Sequence, residues 1–376
     1  MANGPIKVLS IVPYRFLPPS SGGHLGIAMP HQYLGMHCED HIVCTKDNIP
    51  DKDYSFHLHP ILERGVKRYI PLYKFRQITK LATELGIDAI YCDHPYMAPT
   101  AIALSGKLKI PWFMRSHNIE AERFRTYGKK WWPIMRTFEG AIMRRANGIF
   151  FVATEDLKWS IEKYNVAPEK CHFIPYGTTL DKAPSGHIEA KKKVAEQLQL
   201  DKSMPWLYFL GAMDFHPNTH ALSFILDEIM PRLNKSNFKY QVLIAGKGLP
   251  EELKNRIDKT PYIKYTGFIP DLDDFLKACD VMLNPVLLGG GIKTKAVEAL
   301  GYNKIVVSSF SGSAGLLPEV CGANLHISPD NNWDAFTSNV LVSVDQIPSV
   351  PDSFYNTYYW GNVMKKAYDI ISSAKN

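Results

Sequence analysis

The chain has 376 residues, of which 45% are hydrophobic and 21% are charged, and its formal net charge is +6 at pH 7. Single hydrophobic cores seldom grow beyond about 250–300 residues, so this length predicts two domains. The composition is typical of a soluble globular enzyme, and no run approaches the roughly 18 apolar residues that a membrane span needs. The moderate positive charge suits an acidic ligand or an anionic membrane surface, although solvated surface charge alone would also explain it.

The cysteines and the N-terminal residues bear on the cellular compartment. The six cysteines are scattered, form no Cys-x-x-Cys pair and mostly lie in or beside apolar segments. We therefore expect buried free thiols, and neither disulfides nor a metal site. The residues up to Lys7 lead straight into a strand-like segment and lack the layout of a signal peptide. We expect a cytoplasmic location, with peripheral attachment to a membrane as the alternative.

Strand-like and helical segments alternate through the first half of the chain. The first strand ends near Tyr14, and the loop after it contains Gly22, Gly23 and His24, at the sheet edge where open α/β sheets bind ligands. Further strands are predicted at 40–45, 55–62, 88–92, 110–114, 148–153 and 171–175, and helices at 71–85, 97–105, 119–145 and 155–164. This alternation predicts a mostly parallel sheet that is covered on both faces.

A second α/β series follows a polar, lysine-rich stretch, and we place the domain boundary near Leu180. Strands are predicted at 206–211, 240–245 and 262–266, and a helix at 272–279. Asn218 is predicted to be the N-cap of the helix after the first of these strands. The sequence thus predicts one domain at 1–180 and another at 181–353. An amphipathic closing helix within 354–376 is expected to pack back on the first domain.

The segment from Gly289 to Glu298 combines three glycines, two lysines and a glutamate. It follows an apolar run at 281–286 and leads into a helix, which places the loop at the carboxyl end of a strand in a βαβ unit. The glycines let the backbone approach a ligand, and the helix start with Lys293 and Lys295 favours an anion. Glu298 lies one turn into the helix, where it can accept hydrogen bonds from ligand hydroxyls. Phosphate beside a polyol indicates a sugar nucleotide; the alternative is a glycine-rich turn with solvated lysines.

Two further positions follow predicted strands. His117 follows the strand at 110–114 and should lie at the ligand-binding edge of the first sheet, unless it is a hydrogen-bonded structural histidine. Lys247 stands between two glycines at a strand end, where it can reach a phosphate or simply form a surface turn.

The chain resembles, over nearly its whole length, the retaining, nucleotide-sugar-dependent glycosyltransferases of family 4. The segments that carry the resemblance are Ser21-Gly22-Gly23, Ser116 to Glu120, Ile174 to Gly177, Phe209 to Gly211 with Pro217-Asn218, Gly267 to Asp271, and Gly289 to Glu298. The resemblance implies an α/β fold of the GT-B class, with two Rossmann-like domains whose mostly parallel sheets face a central cleft. It also implies a hexosyltransferase-type enzyme that moves a sugar from a nucleotide sugar to a glycan or a lipid-linked acceptor.

The resemblance also implies site residues. A family glutamate pair separated by seven residues brackets the donor site; Glu298 matches the second member, whereas Gly290 occupies the position of the first. Ala212 and Met213 stand where the family commonly has an arginine. The expected donor-binding residues are Gly22, Gly23, Gly211, Lys247, Phe268, Gly289, Gly290, Gly291, Ile292, Lys293, Lys295 and Glu298.

Catalytic and acceptor-side roles complete this set. We expect His117 and Lys293 to be catalytic, with Lys293 outweighing Lys295, which we expect to turn toward Glu298. The acceptor-side candidates are His24, Asp93 and His94.

Neither a metal ion nor a cofactor is expected. Backbone amides, a helix N-terminus and lysines can stabilise a leaving diphosphate without a cation, and no Asp-x-Asp motif lies between the domains. We interpret Asp271, Asp273 and Asp274 as first-turn charges favoured by a helix dipole.

The partners expected are the nucleotide-sugar donor and the acceptor, with no nucleic acid. The basic, aromatic segment at 123–145 either docks on an anionic membrane or forms a long helix with its tryptophans in the core, which we favour. The alternatives to a transferase are a non-catalytic GT-B protein that binds nucleotide sugars or glycans, motivated by Gly290, and a sugar-nucleotide epimerase, which needs acid/base carboxylates.

Overall fold

The computed structural model describes residues 5–236 and 238–374, which form two compact units. Unit 1 contains the chain up to Tyr176 and again from Trp360 onward, and unit 2 runs from Gly177 to Tyr359. The second unit is therefore slightly longer at both ends than the predicted segment 181–353. The expectations for residues 1–4 and 375–376 lie outside the described residues.

In the described part of unit 1, seven strands form one parallel sheet in the order β3-β2-β1-β4-β5-β6-β7. The strands are β1 (Lys7–Val12), β2 (Glu39–Thr45), β3 (Phe56–Leu62), β4 (Ala89–Asp93), β5 (Trp112–Ser116), β6 (Gly148–Phe151) and β7 (Cys171–Phe173). The helices that connect them are α1 (Gly22–Leu34), α2 (Phe75–Leu85), α3 (Ala98–Leu108), α4 (Glu120–Thr126), α5 (Trp132–Arg145) and α6 (Thr154–Tyr164). Strands that are buried on both faces read as continuous apolar runs, which is why the sequence predicted this sheet.

The described strands of unit 2 form a six-stranded parallel sheet in the order β10-β9-β8-β11-β12-β13. They are β8 (Trp206–Leu210), β9 (Gln241–Ala245), β10 (Ile263–Gly267), β11 (Val281–Asn284), β12 (Ile305–Ser309) and β13 (Leu325–Ser328). The helices are α7 (His187–Leu198), α8 (His216–Phe224), α9 (Met230–Asn234), α10 (Glu251–Asp258), α11 (Leu272–Ala278), α12 (Thr294–Gly301), α13 (Pro318–Cys321), α14 (Trp333–Val344) and α15 (Asp352–Tyr358). The strand order changes direction between β8 and β11, and ligands of open α/β sheets bind at the carboxyl ends of strands at such a point. The two Rossmann-like units with parallel sheets confirm the predicted fold class.

The final helix, α16 (Trp360–Ser373), returns the chain to unit 1 and packs on its sheet through Trp360 and Met364. The chain passes from unit 1 to unit 2 after Tyr176 and returns after Tyr359, and within each unit the residues beside these two points lie close together. The Thr178 amide donates a hydrogen bond of 2.7 Å to the Tyr358 carbonyl in unit 2, and the Tyr176 and Trp360 rings meet at 5.1 Å in unit 1.

Two helices that the sequence predicts as continuous are interrupted. The segment 354–371 is divided between α15 and α16, because the backbone of Tyr359 is extended. The segment 119–145 is divided into α4 and α5 by turns at 127–131, and Trp131 is 46% exposed while Trp132 is half-buried. The expectation that both tryptophans lie in the core was therefore wrong.

The six cysteines all lie among the described residues and are free thiols, five of them buried, as expected. No helix within residues 5–236 and 238–374 is both long enough and apolar enough to cross a lipid bilayer.

Candidate functional site

Two glycines bring the ends of β8 and β9 together in unit 2. Gly211 has φ 156° and Gly246 has φ 140°, and a Cβ on Gly246 would overlap the Gly211 carbonyl oxygen. Only glycine fits such a close approach of two backbones. The Gly211 amide donates to the Ala245 carbonyl at 3.0 Å, which fixes the loop at the carboxyl edge of the sheet.

Lys295, in the first turn of α12, lies directly above this glycine. Its Nζ donates to Asn218 Oδ1 at 2.7 Å and lies 4.1 Å from the centre of the Phe209 ring. A Cβ built on Gly211 would stand 3.2 Å from Lys295 Nζ. Burial, together with the charge of Lys293, lowers the pKa of Lys295 to about 7. The expected turn of Lys295 toward Glu298 is not what the structure shows.

Lys293, by contrast, turns back on its own loop. Its Nζ donates to the Gly289 carbonyl at 2.7 Å and to the Gly291 carbonyl at 3.1 Å. Gly289 and Gly291 both have positive φ, which lets their carbonyls point at one ammonium group. Gly290 lies between them in the same turn, and Ile292 rests on Gly315, where a Cβ would stand 2.8 Å from the Ile292 Cβ.

Glu298 lies half-buried on α12, one turn after Lys295. Burial raises the pKa of its carboxyl to about 7, with no hydrogen bond from a described residue to counter it. The neighbouring hydroxyl of Tyr208, on β8, is also buried and has no partner among the described side chains. Neither side chain has a hydrogen-bond partner among the described side chains.

Lys247 and Phe268 follow β9 and β10 and are both exposed at the surface of unit 2. Lys247 Nζ lies 4.0 Å from the centre of the Phe268 ring. The structure thus places both predicted residues together at the carboxyl edge of the same sheet.

Asn218 is a residue whose role sequence reasoning misjudged. It is not a helix N-cap, because α8 begins at His216 with Phe215 in the capping position. Its side chain donates instead to the Ala212 carbonyl at 2.8 Å and accepts from Lys295. The Pro217-Asn218 pair resembles a helix start, so the local sequence gives no sign of this tertiary contact.

Unit 1 carries a chain of buried, paired charges at the ends of its central strands. His31 Nδ1 lies 2.7 Å from Asp40 Oδ2, and His31 Nε2 lies 2.9 Å from Asp93 Oδ2. Ser10 donates to the other Asp40 oxygen at 2.6 Å. Burial alone would lower the pKa of His31, but the two carboxylates raise it to about 9. His31 is therefore an imidazolium bound to two carboxylates, and no local sequence pattern predicted this cluster.

His117 extends this chain toward the surface. Its Nε2 lies 2.9 Å from Asp93 Oδ1, and burial beside His94 lowers the pKa of His117 to about 4. Despite burial, hydrogen bonds from His117 and His31 hold the pKa of Asp93 well below its usual range. Because the ionised Asp93 accepts the Nε2 proton, neutral His117 has an unprotonated Nδ1.

His94 stacks on His117, with ring centres 4.2 Å apart and planes 14° from parallel. Its φ of 65° is unusual for a residue other than glycine and indicates a backbone held by its surroundings. His94 lines a cavity of about 560 Å³ in unit 1 together with Gly23 and His24, at the start of α1. The other lining residues are three tyrosines, two arginines and two apolar residues: Tyr14, Tyr69, Tyr96, Arg15, Arg123, Ile27 and Phe124. Gly22 begins α1 beside this cavity.

Two buried glutamates that were absent from the predicted set support the same region. Glu120 accepts from Tyr96 at 2.5 Å and from Arg123 at 3.1 Å. Glu139 accepts from the Glu120 and Ala121 amides, at 2.9 and 3.1 Å, and so caps the start of α4. The carboxylates of this region are thus engaged by neighbouring groups.

One acidic cluster in unit 2 has carboxylates close enough to share a cation. Within the described parts of the chain it comprises Asp271, Asp273 and Asp274. Asp273 and Asp274 lie in the first turn of α11, as predicted, whereas Asp271 is its N-cap and accepts from the Asp274 amide at 3.2 Å. Lys193 contacts Asp271 and Asp274, and Lys277 donates to Asp273 at 2.6 Å. These contacts are those of capped and paired first-turn charges.

Comparisons with known proteins agree with this architecture. A family described as "Glycosyltransferase Family 4" matches residues 33–182, and one described as "Glycosyl transferases group 1" matches residues 204–345. A glycosyltransferase from Rickettsia africae has a TM-score of 0.75 at 13% identity, covering 99% of each chain. Anabaena HepE in complex with UDP and glucose has a TM-score of 0.70 at 14% identity, covering 98% of this chain and 100% of that one.

A protein relative was found as well. An uncharacterized 44.6 kDa protein in the cps region of Klebsiella pneumoniae is 23% identical over 346 residues, which cover 82% of this chain and 84% of that protein. The structural neighbours show the fold, and the two family matches, which fall largely in different units, show the class. The chain is a family 4-like glycosyltransferase with the GT-B fold.

Proposed function

We propose that this glycosyltransferase moves a hexose from a nucleotide-diphosphate sugar to a glycan or lipid-linked acceptor, with retention of configuration and without a metal ion or cofactor. The observation that carries the proposal is the carboxyl edge of the unit 2 sheet. There, among the residues that the structure describes, half-buried Lys295 has no carboxylate partner and the half-buried carboxylate of Glu298 has no hydrogen-bond donor. Such groups are complementary to a diphosphate and to the hydroxyls of a ribose.

The proposed chemistry requires stabilisation of the leaving diphosphate as the glycosidic bond breaks. Lys295 supplies a positive charge above Gly211, and the N-terminus of α12 adds the partial charge of its free amides. Preorganised donors of this kind act most strongly where charge develops in the transition state. Glu298 is assigned to the ribose, because a carboxylate accepts hydrogen bonds from hydroxyls but repels a phosphate.

Unit 1 is assigned to the sugar being transferred and to the acceptor. The unprotonated Nδ1 of His117 can accept a hydrogen bond from a sugar hydroxyl, and Asp93 holds the imidazole in that tautomer. The tyrosine-lined cavity beside His94 suits a sugar ring, whose C–H faces pack on aromatic side chains. His24 and Arg15 at its rim are assigned to acceptor hydroxyls.

Lipid-linked acceptors are consistent with two exposed segments of unit 1. Segments 64–74 and 123–136 contain nine lysines and arginines and no carboxylate. They expose Val66 (80%), Ile134 (74%) and Trp131 (46%), and both contribute lining residues to the cavity. Basic and apolar groups together favour an anionic bilayer surface. Sedimentation with phosphatidylglycerol vesicles, and loss of it in Lys129→Glu/Lys130→Glu, tests this contact.

The activity is tested with the purified chain and UDP, GDP and ADP sugars. A thermal-shift screen identifies the nucleotide, since a ligand at a hundredfold excess over its dissociation constant stabilises the folded state by about 2.7 kcal/mol. NMR of the products then shows whether the donor is hydrolysed or transferred, and with which anomeric configuration. Binding without turnover would favour the non-catalytic alternative motivated by Gly290, and altered donor stereochemistry would favour the epimerase.

A further inference from the structure

The β8 loop of unit 2 lacks a cation of its own. Gly211, Ala212 and Met213 follow the strand, and the Met213 side chain is fully buried. The positive charge at this position arrives from α12, because the Lys295 ammonium lies above Gly211. Residues 211–215 contain no lysine or arginine and one carboxylate, Asp214, so the cation beside Gly211 comes from a neighbouring element.

The side chain that holds this lysine is Asn218. It is 8% exposed, and its Nδ2 donates to the Ala212 carbonyl at 2.8 Å. That bond fixes which end of the amide faces Lys295, so Oδ1 is the atom that accepts from Nζ at 2.7 Å. One asparagine thus joins the β8 loop to the only lysine that the described structure places above Gly211.

We propose that Asn218 is a positioning residue for the donor, which holds the Lys295 ammonium above Gly211 so that it meets the diphosphate of the nucleotide sugar. This inference rests on the proposed function of unit 2 as the donor unit. It places the diphosphate beside Gly211, at the end of β8, and makes Lys295 rather than Lys293 the principal cation.

Two physical arguments support this assignment. A lysine side chain has four rotatable bonds, and fixing it before the ligand arrives removes the entropy cost of ordering it from binding. An ammonium group has three donors, of which Asn218 takes one and the Phe209 ring faces another region of the group. Donor capacity therefore remains for a phosphate oxygen. Lys293 already donates to the Gly289 and Gly291 carbonyls, so fewer of its N–H groups can donate to a phosphate oxygen.

The competing explanation is a structural latch in which the Asn218–Lys295 bond ties α12 to α8. A latch and a positioning contact differ in what their loss changes. Loss of a latch lowers the stability of the ligand-free protein and leaves anion affinity per folded molecule unchanged. Loss of a positioning contact lowers anion affinity per folded molecule, whatever its effect on the stability of the ligand-free protein.

The test is a double-mutant cycle with Asn218→Ala, Lys295→Met and the double variant of the full chain. Affinities for inorganic pyrophosphate and for UDP, GDP and ADP are measured by calorimetry, and the melting temperature is measured without ligand. We expect Lys295→Met to weaken diphosphate binding about 10- to 100-fold, since hydrogen bonds to charged groups contribute about 1.5–3 kcal/mol. Asn218→Ala should weaken it about 3- to 10-fold in the wild-type background and less than twofold when Lys295 is already methionine.

Two further variants complete the design. Asn339→Ala is the matched control, because Asn339 also donates from its amide to a side chain of unit 2, the Ser328 hydroxyl at 3.0 Å. It should leave diphosphate affinity unchanged. Lys293→Met should weaken binding less than Lys295→Met. With the best-bound nucleotide sugar, Asn218→Ala should lower kcat as well as raise KM, because the lysine's benefit grows as the diphosphate leaves.

The inference is overturned if Asn218→Ala and Lys295→Met lower the melting temperature equally and leave diphosphate affinity unchanged. It is also overturned if their effects on affinity simply add, or if the wild-type chain binds none of the four probes. Failure of the proposed function is a separate result: diphosphate binding that depends on Asn218 and Lys295, without transfer or hydrolysis of any nucleotide sugar, leaves the positioning role in place.

Discussion

The two sheets end in opposite electrostatic arrangements. In unit 1, His31 is bound between Asp40, near the amino end of β2, and Asp93, at the carboxyl end of β4, and Asp93 also holds His117. At the carboxyl edge of unit 2, Lys295 has an uncharged partner and Glu298 has none among the described residues. The His31 cluster of unit 1 therefore satisfies its charges internally, whereas this edge of unit 2 leaves opposite charges for a ligand to satisfy.

This difference separates two ways of building a site on one type of fold. Paired buried charges fix side-chain positions and tautomers, but removal of one partner leaves the others uncompensated. Burial without an opposite charge disfavours the charged form of a side chain. It lowers the pKa of Lys295, together with the charge of Lys293, and raises the pKa of Glu298, both to about 7. Substitutions should thus affect mainly folding at His31 in unit 1 and mainly binding at Lys295 and Glu298 in unit 2.

The largest effect is expected from His31→Leu in unit 1. The change leaves Asp40 and Asp93 buried without their shared cation, and breaking a buried ion pair costs about 3–5 kcal/mol. Scanning calorimetry and denaturant unfolding should show this loss, while His57→Leu, on an exposed part of β3, should change stability by less than about 0.5 kcal/mol. Lys295→Met should not destabilise the ligand-free protein. A fall in stability equal to that of His31→Leu would contradict the comparison.

The next largest effect is expected from Glu298→Gln, which keeps the shape of the side chain and removes its charge. If Glu298 accepts hydrogen bonds from ribose hydroxyls, nucleotide affinity should fall about 10- to 100-fold, corresponding to about 1.5–3 kcal/mol. Calorimetric titration with the nucleotide found in the screen measures this loss. Unchanged affinity for the nucleoside diphosphate would remove Glu298 from the donor site.

A smaller effect is expected from pH. Lys295 has a pKa of about 7 in the free protein, and a bound diphosphate favours its protonated form. Below pH 7 the lysine is already charged; above pH 7 binding must take up a proton, so affinity should fall by up to about tenfold per pH unit. Glu298 ionises in the same pH range, and its ionised form, the better acceptor for hydroxyls, becomes more populated as the pH rises. The profile is therefore measured in the Glu298→Gln background, with a nucleotide sugar.

Calorimetry in buffers of different ionisation enthalpy counts the protons taken up. Close to one proton is expected at pH 8 with Lys295 present, and close to none in Lys295→Met. A pH-independent affinity between pH 6 and 8.5 would show that Lys295 does not meet the diphosphate.

The smallest effect is expected from chelation. Because Lys295 and the α12 amides are proposed to replace a cation, transferase activity should survive EDTA. The acidic cluster around Asp271 is engaged by Lys193 and Lys277. Complete loss of activity, restored by magnesium or manganese, would show that a metal ion takes part in the reaction.

The sequence predicted the parallel sheets well because buried strands are continuous apolar runs whose ends are marked by polar or glycine-containing turns. β2, β8 and β9, for example, begin and end within one residue of their predicted positions. The helix break at 127–131 was missed although Gly128, with φ 67°, and Pro133, in the first turn of α5, mark it in the sequence. The break at Tyr359 was missed because it lies within an amphipathic, aromatic-rich segment. Local periodicity does not report a change of direction when both flanking segments are apolar on one face.

The sites were predictable only in part. The glycine loop and Glu298 could be predicted because three glycines, two lysines and a glutamate lie within the ten residues 289–298 and are therefore adjacent in the sequence itself. The His31 cluster joins residues from α1, β2 and β4, and no local pattern connects them. For Lys293 and Lys295, spacing by two residues indicates different helix faces, but which face meets β8 depends on packing against Asn218.

The chain leaves unit 1 at Tyr176 and returns at Trp360, and the ends of the intervening segment are joined by the hydrogen bond between Thr178 and Tyr358. Topologically, segment 177–359 is thus an insertion with adjacent ends, and the rings of Tyr176 and Trp360 meet on the other side of the junction. Insertions with adjacent ends can be exchanged without rerouting the host chain. We therefore expect that segment 177–359, which we propose to hold the donor, can be exchanged between related enzymes as one continuous segment if the two junctions are preserved.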